Sequence, residues 1–212
     1  MTATPRTQPD DLRADCASCF GLCCVTLPFT RSSDFALTKP AGRPCVNLAA
    51  DHRCSIHSRL KQSGFTGCTV YECLGAGQKL SQHTFGGRDW RTHPDLVPLM
   101  TAAYPRMRHL HELLWHLHHA AALPPAAPVR ARIADTIATL DALSHQDADA
   151  LLAADLPALH AAAADLLRTA SDLTRRHHNP RPRDHHHGDL SGRKLRRADL
   201  RAADLRGALL IG

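Results

Sequence analysis

The chain has 212 residues, enough for one or two domains with a hydrophobic core, and it carries a formal net charge of +6. Its N-terminal residues are polar and lack the apolar segment of a secretory signal peptide. No apolar run approaches the roughly 20 residues needed to cross a bilayer, so the sequence predicts a cytoplasmic protein without a membrane span. Aromatic residues make up only 4% of the chain, which argues against a stacking surface for single-stranded nucleic acid.

The cysteines are confined to the N-terminal part of the chain, which we predict to be a cysteine-rich domain over residues 1–94. In a reducing compartment, clustered thiols usually bind metal or carry redox chemistry rather than form disulfides. We therefore expect the cysteines to act as metal ligands. They are Cys16, Cys19, Cys23, Cys24, Cys45, Cys54, Cys68 and Cys73.

The spacing of the first four cysteines restricts the kind of site they can build. Two residues separate Cys16 from Cys19, so one tight turn can direct both sulfurs to one metal ion. Cys23 and Cys24 are adjacent, and neighbouring side chains of an extended chain diverge. This pair therefore suits two nearby metal sites, or one site with a free thiol beside it.

Histidines supply candidate ligands of a second kind. His52 and His57 flank Cys54, and either imidazole can replace a cysteine, although both also fit a surface role in a chain with 16 histidines. A further carboxylate and three imidazoles recur on one face of a predicted helix: His109, Glu112, His116 and His119. Such a face either builds a metal site or, more often, is a solvated polar surface.

The chain becomes helical in pattern after residue 94. Apolar residues recur there at three- and four-residue spacing, and Pro105 is expected to kink the helix or split it. Further helices are predicted over residues 129–143 and 146–154, followed by a last one with Asp155 as its N-cap. We interpret residues 95–176 as an antiparallel α-helical bundle.

The tail changes character twice. Residues 177–187 contain no apolar side chain able to enter a core and are predicted to be a linker. In residues 188–212 a leucine recurs at every fifth position, at Leu190, Leu195, Leu200, Leu205 and Leu210. Neither a helix nor a flat strand has this period, so it indicates a solenoid.

This tail resembles the pentapeptide-repeat family. The resemblance implies a right-handed quadrilateral β-helix in which the central leucines point inward. The small residues two positions before them, Ala198, Ala203 and Ala208, also face the core in that resemblance. It further implies an arm that binds a protein partner.

The cysteine-rich part resembles a second family over about residues 14–75. The matching stretches are residues 16–24, 44–48, 53–57 and 67–73. They resemble the YkgJ-type cysteine-cluster family, a zinc- or iron-chelating domain with a CxxCxxCC core. This chain departs from that core by one extra residue before the adjacent pair, and its segment after Cys54 lacks the family's proline. The resemblance implies a bound metal, for which we favour an iron–sulfur cluster over zinc.

The sequence thus predicts a mixed fold: a small metal-stapled cysteine-rich domain, an α-helical bundle and a short right-handed quadrilateral β-helix. The expected function is metal binding, with the centre serving a structural, electron-transfer or sensory role. One alternative is a thiol redox enzyme or switch without permanent metal, suggested by the adjacent Cys23 and Cys24. Another is a pentapeptide-repeat scaffold that binds a protein partner, whereas a nucleic-acid partner is disfavoured.

Overall fold

The structure is a computed structural model that describes residues 9–211. Three short helices lie in the cysteine-rich part: α1 (Leu22–Thr26), α2 (Thr66–Thr69) and α3 (Ala76–Lys79), which continues into a π-helical turn (Leu80–Thr84). Four further helices follow: α4 (Val97–Ala122), α5 (Arg130–Ser144), α6 (Ala148–Ala153) and α7 (Leu156–His178). Short 3-10 turns occur at Asp10–Leu12, Cys16–Ser18, His57–Arg59, Pro94–Leu96 and Pro124–Val129.

Helix α4 is the central element of the core. Its buried face follows the predicted apolar stripe and includes Met100, Ala103, Met107, Leu110, Leu113, Leu114 and Leu117. The helix runs through Pro105 as one element, so the proline does not split it. Burial on both sides of the proline outweighs the single backbone hydrogen bond that proline cannot donate.

The last two helices, α6 and α7, begin at capping carboxylates. The Asp147 side chain accepts a hydrogen bond from the backbone N–H of Ala150 at 2.8 Å, at the start of α6. Asp155 accepts one from Ala158 at 3.0 Å, which confirms it as the N-cap of α7. Helices α5, α6 and α7 all pack against α4, as helices of one bundle do.

One hydrophobic cluster joins the cysteine-rich part to the helices. Leu22 and Val25 of α1 and Leu80 of the π-helical turn belong to the same cluster as the buried residues of α4. A smaller cluster of Ile56, Leu60 and Phe65 lies apart from it, under the loops of the cysteine-rich part. The N-terminal thiols are therefore carried on the core that also stabilises the helices.

The C-terminal segment corrects the predicted fold class. No β-strand forms within residues 9–211, and the tail contains only isolated parallel bridges, between Asp184 and Asp204 and between Asp189 and Leu209. The predicted right-handed quadrilateral β-helix over residues 188–212, and the mixed fold that included it, are therefore wrong. Five-residue units in this segment close local turns, such as the Ala198 N–H to Leu195 carbonyl bond of 3.0 Å, which leaves single residues for pairing.

The tail is attached to α7 by a network of ion pairs. Arg175 of α7 lies 3.5 Å from Asp204, and Arg206 lies 3.1 Å from Asp172 of α7. Arg206 also pairs directly with Asp204, and this hydrogen bond is the main reason that the pKa of Asp204 lies below its ordinary value. Within the tail, Leu190 is buried whereas Leu210 is exposed, so the predicted inward-facing leucines are not equivalent.

Candidate metal centre

Helix α1 directs its two adjacent cysteines to different sides. The helix begins after Gly21, whose φ is +68° and whose missing Cβ would lie only 2.7 Å from a methyl carbon of Leu48. Successive residues of an α-helix point about 100° apart, so Cys23 and Cys24 face different surroundings. Their sulfur atoms are nevertheless only 4.0 Å apart, so the two surroundings meet at this pair.

The first group of thiols, named the N-terminal thiol set, comprises Cys16, Cys19, Cys23 and Cys73. Burial raises the pKa of the Cys16 thiol, and the charges of Cys23 and Cys19 raise it further. Burial likewise raises the pKa of Cys73, to which the charge of Cys23 contributes. Cys19, Cys23 and Cys73 also pack against the main hydrophobic cluster, so this set is fixed to the core.

Backbone donors around this set favour the thiolate forms. The N–H groups of Leu22 and Gly21 lower the pKa of Cys19, against the larger effect of burial, which raises it. The Ser81 hydroxyl donates to the Cys19 sulfur at 3.9 Å. Cys73 has a similar arrangement with the N–H groups of two glycines that follow it in the chain. These donors stabilise negative charge on sulfur, as metal-bound thiolates require.

The second group, named the loop thiol set, comprises Cys24, Cys45, Cys54 and Cys68. The backbone N–H of Cys45 donates to the carbonyl of Cys24 at 2.9 Å. Burial raises the pKa of Cys68, and the charges of Cys45, Cys23 and Cys54 raise it further. Cys54 packs against the smaller hydrophobic cluster. We therefore treat the eight cysteines as two sets of four, and Cys23 of α1, whose charge also raises the pKa of Cys68, lies between them.

The thiol sets are not closed as metal sites. In the described part of the chain, no three His, Cys, Asp or Glu side chains are positioned to hold one ion. The fold brings the thiols near each other without converging their sulfur atoms. The donor chemistry nevertheless fits a soft metal, because all eight cysteines are free. Their thiolate forms would also repel one another, and a bound cation would relieve that repulsion.

Thiol titration supplies a prediction for the metal-free protein. A hydrogen bond to Cys24 and burial raise the pKa of Cys23 well above its ordinary value of 9.0, and burial raises that of Cys19. The folded state therefore holds these protons above pH 9, where the unfolded state releases them. We expect urea unfolding to show constant stability below pH 8 and a loss above pH 9, of up to about 1.4 kcal/mol per pH unit and thiol. A stability that rises with pH across this window would contradict the assignment.

The two flanking histidines have different surroundings. The Nε2 atom of His52 lies 3.1 Å from a carboxylate oxygen of Asp89, and its ring packs against the rings of Phe20 and Trp90. His57 is exposed and begins a 3-10 turn. The nitrogen of His52 that faces Asp89 is thus already occupied, and ligation by either histidine stays a prediction.

The carboxylate and imidazole face of α4 is divided among separate partners. Glu112 pairs with Arg108 at 3.1 Å. His109 lies 3.2 Å from His160 of α7, and the Nδ1 of His119 lies 2.8 Å from the backbone carbonyl of Trp115. This face behaves as a polar surface of the bundle.

Two features beside the thiols were not predicted from the sequence. The hydroxyls of Tyr71 and Tyr104 are hydrogen-bonded at 2.9 Å, and burial, aided by the charge of Cys23, raises the pKa of Tyr71 to about 12. Lys39 is buried close to the loop thiol set. No spacing marks either feature, although lysine is rare in this arginine-rich chain and Lys39 is one of four.

Comparison with known proteins gives a relative but no activity. No known protein-family model matches this chain, and no solved structure matches it. The chain is 44% identical over 165 residues to the uncharacterized protein YybG of Bacillus subtilis (strain 168). That stretch covers 78% of this chain, which spans only 59% of the length of YybG. Among the described residues, no helix has the length and apolar character needed to cross a bilayer.

Proposed function

We propose that the protein binds metal through cysteine thiolates, as an iron–sulfur cluster or, alternatively, as zinc. The observation that supports this most is that the chain has eight free cysteines, all between residues 16 and 73, with the sulfurs of Cys23 and Cys24 4.0 Å apart. Packing as small apolar side chains does not explain why the cysteines cluster, since the thiolate forms of neighbouring cysteines repel one another. Soft thiolate ligands suit both metals.

The protein's own residues would hold the centre and supply its charge balance. In the N-terminal thiol set, Cys16, Cys19, Cys23 and Cys73 offer four sulfurs, and backbone N–H groups stabilise negative charge on two of them. Because burial keeps these thiols protonated in the absence of a cation, binding a metal ion must release protons. When bound, the metal would cross-link the short helices. An iron–sulfur cluster would also supply an electron-transfer or sensory capacity.

A metal-free thiol redox switch is the second candidate, and the site supports it less well. A reactive thiol needs a lowered pKa, whereas those of Cys16, Cys19, Cys23, Cys68 and Cys73 are raised. The one close pair, Cys23 and Cys24, has its sulfurs 4.0 Å apart, about twice the length of a disulfide bond. Forming that bond would require α1 to unwind.

Anaerobic purification tests the proposal directly. We expect at least one equivalent of iron or zinc per chain by elemental analysis, and acid-labile sulfide with visible absorption if the centre is iron–sulfur. Treatment with a chelator should release the metal and expose the thiols to alkylation. Sub-stoichiometric iron and zinc, with rapid alkylation of the native protein, would instead support the redox switch.

A further inference from the structure

Lys39 is a buried cation without an anionic partner among the described residues. Its residue is 4% exposed, and its ammonium donates to the backbone carbonyls of Val25, Pro40 and Arg43 at 3.0, 3.1 and 2.8 Å. No carboxylate of residues 9–211 lies within ion-pair distance of it. Buried lysines are normally paired, because an uncompensated charge is costly away from water.

The surroundings of Lys39 show where a compensating charge would lie. Val25 directly follows Cys24, and Arg43 lies two residues before Cys45. The backbones of these two cysteines are joined by the 2.9 Å hydrogen bond from the N–H of Cys45 to the carbonyl of Cys24. The ammonium is therefore held against the two chain segments that carry half of the loop thiol set.

A buried cation at this position favours the anionic form of neighbouring sulfurs. Four thiolates around a divalent ion leave a net charge of about −2, which burial makes unfavourable unless a positive group lies nearby. Backbone donors assist the N-terminal thiol set, as described above. The buried ammonium of Lys39, held by three carbonyls beside Cys24 and Cys45, is such a positive group.

We propose that Cys24, Cys45, Cys54 and Cys68 form a second thiolate metal centre and that Lys39 is its buried counter-ion. This inference rests on the proposed metal-binding function and extends it to a centre distinct from the one at the N-terminal thiol set. Lys39 is a positioning residue for charge and does not itself bind the ion. Its removal should therefore weaken one centre and spare the other.

The test compares the anaerobically purified full-length wild type with Lys39→Met. Each cysteine is followed by iodoacetamide labelling and mass spectrometry, alongside metal content per chain. In Lys39→Met we expect the loop thiol set to label at least tenfold faster and the metal content to fall, while labelling of the N-terminal thiol set stays unchanged. Lys39→Arg, which keeps the charge, should restore part of the protection, and exposed Lys61→Met should change nothing.

Other labelling results would contradict the counter-ion role of Lys39. Equal protection of the loop thiol set in Lys39→Met and the wild type would overturn the counter-ion role. Simultaneous exposure of all eight thiols in both Lys39→Met and Lys39→Arg would overturn it too, because Lys39 would then serve the fold as a whole. A second variant, Cys68→Ser, tests the loop centre in case Lys39→Met does not fold, because it removes only an exposed thiol of the loop thiol set. In this variant only the remaining cysteines of the loop thiol set should label faster. Faster labelling of the N-terminal thiol set as well would refute the proposal of two separate centres. A wild type that is metal-free and fully labelled would refute the proposed function itself.

Discussion

Replacing Gly77 with alanine is expected to destabilise the protein by about 1–3 kcal/mol and to displace the Cys19 sulfur from the N-terminal thiol set. Gly77 lies in α3 with an ordinary helical backbone, so alanine alone would normally stabilise that helix by up to about 1 kcal/mol. A Cβ atom at Gly77, however, would lie 2.6 Å from the Cys19 sulfur. The contact therefore reverses the sign of the usual glycine-to-alanine effect. Urea unfolding and metal content measure the two consequences.

A second substitution isolates the contact. In a Cys19→Ala background the clash disappears, so Gly77→Ala should become neutral or stabilising. Gly86→Ala is the comparison for backbone strain alone, since Gly86 has φ of +57° and no heavy atom within 4 Å of an added Cβ. It should cost about 1 kcal/mol and leave the metal content unchanged. If Gly77→Ala were equally destabilising with and without Cys19, the close approach would not be its cause.

The second large effect is expected from Leu110→Ala in the middle of α4. Leu110 is fully buried in the cluster that also contains Leu22 and Val25 of α1. Removing its side chain should lower the free energy of unfolding by about 2–5 kcal/mol, through lost burial and a cavity. Because that cluster includes both parts of the chain, helicity and the protection of the thiols should be lost together, in one transition shifted to lower urea concentration.

The partly exposed Leu123, just beyond α4, provides the matched control. Leu123→Ala removes the same atoms from a position that water already reaches, so its cost should stay below about 1 kcal/mol. Two separate transitions for Leu110→Ala, one for helicity and one for thiol exposure, would contradict the shared core. Circular dichroism and thiol labelling along one urea series provide both readings.

The helices were largely predictable from the sequence. Apolar periodicity located α4, and Asp155 marked the start of α7, because side-chain spacing and capping are local properties. The tail shows the limit of the same approach. The five-residue period predicted a solenoid and, by resemblance, a β-helix, which is wrong, because strand formation depends on pairing between segments that the period does not report.

The candidate site was predictable in composition and not in arrangement. The cysteines were evident, as was the possibility that Cys23 and Cys24 serve two sites. Their division into two sets depends on loops that return from residues 45–73, which no local pattern specifies. Lys39 escaped prediction for the same reason, since its significance lies in three carbonyl partners and in the absence of a nearby carboxylate in the described chain.

The shared hydrophobic cluster has a practical consequence for anyone who wishes to transplant the thiols into another protein. A fragment that stops after the last cysteine would leave Leu22 and Val25 facing water instead of α4. Such a fragment would aggregate or collapse before it could be loaded with metal. A portable version must therefore carry α4 and the helices that cover it, and its natural end is the end of α7 at His178.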